Sequence, residues 1–106
     1  MKTIMGASVL VLAVAFAFST FAVADSGADL YKSKCATCHG AAGGGDTAMG
    51  KNLKLADLGS ADVQKMSDAD LAGIITNGKG KMPAYKGKLT DAQVNDVVKY
   101  IRGFKK

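Results

Sequence analysis

Cys35 and Cys38 are the only cysteines in a chain of 106 residues, and the only histidine, His39, follows them directly. They stand in the stretch KCATCHGAAGGG, residues 34–45. Residues three apart on a helical turn project to nearly the same side, so both thiols can bond neighbouring positions on one flat partner. The next residue points about a quarter turn further round. From there an imidazole can reach the centre of that partner.

C-x-x-C-H is the attachment signature for c-type haem. Cys35 and Cys38 would form the thioether bonds, and His39 would be the proximal ligand of the iron. Three other chemistries explain less. A thioredoxin-like dithiol expects a βαβ pattern around it, and none is readable. A structural zinc site needs four ligands, and no further Cys or His exists. A disulfide closing so short a loop adds little stability. All three leave His39 without a role.

An iron held by one imidazole has a second axial face to fill. The candidates downstream are Met49, Met66 and Met82, with a lysine conceivable. Met82 stands out by location, in the Gly/Lys-rich segment GKGKMPAYKGK, residues 78–88. Pro83, the only proline, restricts the residue before it to extended backbone. That backbone can aim the Met82 side chain inward. Met66 falls on an apolar helical face, where packing is the simpler role. Met49 follows the glycine run, on the histidine side of the ring.

Four helical segments must position these groups, and no convincing strand is readable, so the fold class is all-α. Ser26 can cap a first helix running toward Cys38, with Gly27, Tyr31, Cys35 and Cys38 sharing one face. Ser60 can cap a short helical turn through Met66. Ser67 begins a helix carrying Leu71, Ile74, Ile75 and Gly78 as a stripe, ended by Asn77-Gly78. Thr90-Asp91-Ala92-Gln93 fits a capping box opening the last helix. Its stripe is Val94, Val97, Val98 and Ile101, and Arg102, Lys105 and Lys106 suit its negative end. Leu53, Leu55, Leu58, Leu71, Ile74, Ile75, Tyr85, Val97 and Ile101 are the expected inward residues.

The first 24 residues read as a secretory signal peptide. Lys2 supplies the positive start, an apolar run extends from Ile4 to Phe18, and Ala22-Val23-Ala24 forms an A-x-A cleavage pattern. The run is shorter than the about 20 residues of a spanning helix. No cysteine follows it, which argues against a lipid anchor. Cleavage leaves one domain, residues 25–106, in an exported and for bacteria periplasmic location. It carries thirteen basic residues against nine aspartates and no glutamate, a net charge of +4. A chain this small has trouble burying enough apolar surface to be stable alone, so a large cofactor suits it. Export and the lack of a basic stripe on one helix argue against nucleic acid as the partner. Nothing suggests a dimer or stable membrane insertion after cleavage.

The whole span from Asp25 onward resembles the small, soluble, single-haem class I c-type cytochromes of bacteria. The order of helix, C-x-x-C-H, loop, helices, M-P loop and terminal helix is shared. Gly27 and Tyr31 match the glycine and aromatic that pack on the terminal helix in that family, with Val97 and Tyr100 as their partners. The resemblance implies a cytochrome c fold of three main helices plus a short one around one covalent haem c. It implies a soluble one-electron carrier, not an enzyme, with Cys35, Cys38, His39 and Met82 as cofactor-binding residues and His39 and Met82 as iron ligands. Redox partners with an acidic docking face would meet Lys34, Lys51, Lys54, Lys79, Lys81, Lys86 and Lys88. One departure stands out. Many relatives use a proline carbonyl to accept the Nδ1 hydrogen of the histidine, and this chain has only glycines there, so a carbonyl in residues 40–50 is expected to serve. The alternative function is a haem enzyme or gas sensor with an open or displaceable sixth position.

Overall fold

The computed structural model describes residues 26–106, so the expected signal segment lies outside the described residues. The described residues form six helices: α1 (Gly27–Lys34), α2 (Ala36–His39), α3 (Ala48–Leu53), α4 (Ala61–Gln64), α5 (Asp68–Asn77) and α6 (Asp91–Arg102). The described residues contain only isolated bridges, Lys79 with Met82 and Lys86 with Leu89, so the all-α expectation holds.

Each helix start follows from a side-chain oxygen that accepts an otherwise orphaned N–H. Ser26, Thr47, Ser60, Ser67 and Thr90 accept from the N–H of Asp29, Gly50, Val63, Asp70 and Gln93. Only α6 has the reciprocal bond, from the Gln93 side chain to the Thr90 N–H. At Ser67 the aspartate three residues on makes no return bond of that kind, because its side chain is one methylene shorter than Glu.

The first helix does not run unbroken to Cys38. It breaks at Cys35, where φ is −115° and ψ −34°. The Cys38 and His39 N–H groups both turn to the Cys35 carbonyl, at 3.2 and 3.0 Å. Helix α3 was not expected, because the glycine run before it masks its only start signal, Thr47.

The core is Leu30, Tyr31, Val63, Leu71, Ile75, Leu89, Val94, Val97, Val98 and Ile101. It takes in the whole apolar stripe of α6. Helices α1 and α5 both pack on α6. Tyr31 and Val97 are fully buried at the first contact. Tyr31, Tyr100 and Phe104 form an aromatic trio with each pair of centroids 5.2 Å apart.

Arg102 does more than complement a helix dipole. Its guanidinium donates to the Gln64 carbonyl at 2.7 Å, the Met66 carbonyl at 2.6 Å and the Asp68 carboxylate at 2.8 and 3.0 Å. Those two carbonyls stand at the last residue of the short α4 and two residues beyond it, where no helix continues to satisfy them. The Gln64 amide donates in turn to the Leu58 and Ile101 carbonyls. The segment between α3 and α5 is thus clamped onto α6.

Candidate functional site

Helix α2 carries Cys38 and His39, and Cys35 stands at its start. Thr47 grips this turn from outside. Its hydroxyl donates to the Cys38 carbonyl at 2.7 Å and also caps α3. The Gly45 N–H donates to the His39 carbonyl at 2.7 Å. Both cysteines are free thiols, partly buried.

Met82 is held by a different device. Helix α5 ends at Gly78 (φ +77°), and Gly80 (φ +57°) turns the chain back, left-handed conformations that favour glycine. Lys79 and Met82 exchange backbone bonds at 3.2 and 2.9 Å. The Tyr85 and Lys86 N–H groups tie the loop to the Ile75 and Thr76 carbonyls at 3.0 and 2.9 Å.

The two devices meet at one cavity of about 690 Å³, lined by Cys35, Cys38, His39, Leu53, Leu55, Met82, Pro83 and Tyr85 among others. A second, inner cleft of about 80 Å³ lies between His39, Met82, the core residues Leu71, Ile75, Val97 and Ile101, and the partly buried Leu58 and Ile74. All nine residues expected to point inward therefore line one cavity or the other. Met82 lines both. Met49 lines neither and is 48% exposed. Met66 packs against the core cluster away from both cavities.

The surroundings set the state of each donor. Burial lowers the pKa of His39, so the ring stays neutral and keeps a lone pair for a metal. Burial, with the Cys38 charge second, pushes the Cys35 thiol up to about 11. Burial also raises Tyr85, with smaller contributions from Cys35 and Cys38. The expectation of a carbonyl for His39 Nδ1 is not met: that nitrogen is buried with no hydrogen-bond partner. Several carbonyls in residues 40–50 accept from other groups. Gly40 accepts from the Tyr31 hydroxyl and the Gly43 N–H, and Gly43 accepts from the Leu58 N–H.

A haem fits these residues. The outer cavity has the size and largely apolar lining of a cofactor site. Its donors are two free thiols, an uncharged imidazole and a thioether, a soft set suited to haem iron and its thioether links. Lys34, Lys54, Lys79 and Lys81 also line it, and no acidic residue does. None of these lysines joins an ion pair among the described residues. Sequence reasoning missed Asn52 and Ala56 in the lining, and the roles of Thr47 and the Tyr85 hydroxyl. Thr47 was findable as a capping residue before an unassigned segment.

Known proteins resemble this chain along most of its length. A family model described as cytochrome c oxidase, cbb3-type, subunit III matches residues 22–101. Cytochrome c6 from Picosynechococcus sp. PCC 7002 is 37% identical over 95% of this chain and 92% of its own. Cytochrome c6 from Nostoc sp. PCC 7120 is 42% identical over 97% of this chain and 94% of its own. Among solved structures, the c-type cytochrome KustC0563 superposes with a TM-score of 0.71 at 37% identity, over 76% of this chain and 99% of that one. Cytochrome c6C from Synechococcus sp. PCC 7002 gives a TM-score of 0.59 at 32% identity, over 74% of this chain and 93% of that one. Similarity of that extent, on a helical frame built around a cavity with this donor set, identifies the family: the chain belongs to the class I c-type cytochromes, small soluble electron carriers with one covalently bound haem c.

Proposed function

We propose that Cys35 and Cys38 bear the thioether bonds, that His39 and Met82 are the axial ligands of the iron, and that the exported protein shuttles single electrons as a monomer between partner proteins, without catalysis of its own. The observation that carries this is the position of Met82. Of the three methionines in the described residues, it alone lines the cavity that holds Cys35, Cys38 and His39. Among the described residues no helix is long and apolar enough to cross a membrane.

Bound haem supplies one-electron exchange between ferric and ferrous iron. The protein's own groups tune and protect that exchange. The neutral His39 ring presents a lone pair without first losing a proton. Pro83 and the turn at Gly80 limit the conformations of Met82, so the thioether is positioned at little entropic cost. A thioether ligand raises the potential. Leu53, Leu55 and the inner-cleft residues exclude water and disfavour the extra charge of the ferric state.

The test is an optical spectrum of protein exported with a haem-attachment system, beside Met82→Ala. Protein starting at Asp25 should keep its haem through acid extraction. The weak far-red band of methionine-ligated ferric haem should be present and vanish in Met82→Ala, and the potential should fall by a share of the about 0.8 V that axial ligation spans. Covalent haem without that band in the native protein would overturn Met82 as ligand. The enzyme or gas-sensor reading would then lead.

The four lysines around the cavity suit a partner with an acidic face. Residues 71–90 contain four lysines and no acidic residue, so a partner meets unopposed positive charge near Met82. Electrostatic steering of this kind is screened by salt. The bimolecular transfer rate to an acidic partner should fall roughly tenfold or more between low and physiological ionic strength. Stopped-flow rates that stay flat with salt would remove the docking role.

A further inference from the structure

We infer that the Tyr85 hydroxyl is a strap that closes the Met82 loop onto the Cys35 side of the cavity, and so sets how firmly Met82 resists displacement; the inference rests on the reading of Met82 as an iron ligand. The Tyr85 O–H donates to the Lys34 carbonyl at 2.9 Å, across 51 positions of sequence. Lys34 directly precedes Cys35. Its carbonyl is available because of the break in the first helix: the Cys38 N–H, which would reach Lys34 in an unbroken helix, bonds Cys35 instead.

The other ties of this loop do not do the same job. The Tyr85 and Lys86 N–H groups anchor it to the last turn of α5, and the Lys79–Met82 pair and the bonds from Lys88 and Leu89 to the Tyr85 carbonyl lie within it. Among the described residues, the Tyr85 hydroxyl makes the only hydrogen bond from residues 78–89 to the segment that bears Cys35, Cys38 and His39. Tyr85 also lines the outer cavity. Its ring covers the site while its oxygen closes it. Without the hydroxyl the loop keeps its hinge at α5 and loses its latch. Tyr85 is therefore a positioning residue, acting on Met82 through the loop they share.

Tyr85→Phe isolates the latch. The ring stays, and the Lys34 carbonyl, on an exposed residue, is free to bond water. An entering ligand that must first displace Met82 binds with an apparent affinity scaled by the population of the open loop. A hydrogen bond of ordinary net strength then predicts roughly three- to tenfold tighter cyanide binding by ferric Tyr85→Phe holoprotein than by the native protein. The experiment is a cyanide titration of native, Tyr85→Phe, Met82→Ala and Gln64→Ala holoproteins, with far-red spectra and thermal melts. Gln64 bonds carbonyls on the α6 side, away from the loop, so Gln64→Ala reports what loss of stability alone does. Tighter cyanide binding in Tyr85→Phe but not in Gln64→Ala supports the strap. Unchanged affinity in Tyr85→Phe, or an equal gain in Gln64→Ala, overturns it while the native far-red band keeps Met82 as ligand. Absence of that band, with equal cyanide affinity in native and Met82→Ala, is the distinct failure of the ligand reading itself.

Discussion

Expressed without haem, residues 25–106 will show no cooperative thermal transition, and far-UV circular dichroism will report a largely unfolded chain. The inner cleft of about 80 Å³ borders five residues of the apolar core, Tyr31, Leu71, Ile75, Val97 and Ile101. Left empty it costs about 2 kcal/mol at about 24 cal/mol per Å³. The unpartnered His39 Nδ1 adds a penalty of about 1–3 kcal/mol. A core in a chain this short supplies about 3–5 kcal/mol, so the margin is consumed. The helices cannot make up the difference. The longest, α6, has 12 residues, and isolated helices shorter than about 12–15 residues are marginal in water. Bound haem would add apolar contacts to the residues that line both cavities and so supply the buried surface the chain lacks. A haem-free chain that melts cooperatively at the temperature of the holoprotein would refute this.

The second large effect comes from one missing side chain. Gly27 lies where α1 meets α6, and a Cβ built there would overlap the Asp96 carbonyl oxygen, with its carbon at 2.8 Å and the Val97 nitrogen at 3.4 Å. All three are backbone atoms of α6, so no rotamer change relieves the clash. Gly27→Ala must therefore push the two helices apart at the contact where Tyr31 and Val97 are fully buried. Overpacking of this kind costs about 1–3 kcal/mol. For a domain of this size the melting temperature of the holoprotein should drop by roughly 4–8 °C for each kcal/mol. Gly73→Ala is the matched control. It sits inside α5 with nothing within 4 Å of the added atom, and Ala is favoured over Gly in a helix interior by about 0.5–1 kcal/mol. The two substitutions should move the melting temperature in opposite directions. A Gly27→Ala melt at or above the native one would show that the contact yields without cost.

Much of the site was legible because its signals are local. Two thiols and an imidazole within five residues name their own chemistry, and the capping residues Ser26, Ser60, Ser67 and Thr90 mark where four of the helices begin. The inward set was legible for a related reason: a stripe such as Val94, Val97, Val98 and Ile101 reports one face of one helix, and that face has only one core to meet. What escaped were features made by residues distant in sequence or by main-chain atoms. The break at Cys35 depends on which carbonyl the Cys38 N–H selects. The bond from Tyr85 to Lys34 joins a side chain to a carbonyl, and any residue could supply that carbonyl. Helix α3 escaped because a glycine run precedes it, Gly50 interrupts it and its six residues hold no full apolar stripe. The carbonyl expected to accept from His39 Nδ1 is not there, because local sequence does not say which main-chain oxygen a side chain will face.

The anchorage of the Met82 loop has a bearing on how such proteins diversify. The bonds that fasten it to α5 and α1 all end on backbone carbonyls, those of Lys34, Ile75 and Thr76. A carbonyl is the same acceptor whatever side chain stands beside it, so the moorings are blind to substitution at those positions. The contact of α1 with α6 and the Arg102 clamp, which carry the frame, draw on none of residues 79–88. Inheritance can therefore rewrite the segment that presents the thioether, and with it the potential, while the frame that holds the C-x-x-C-H turn passes on unchanged.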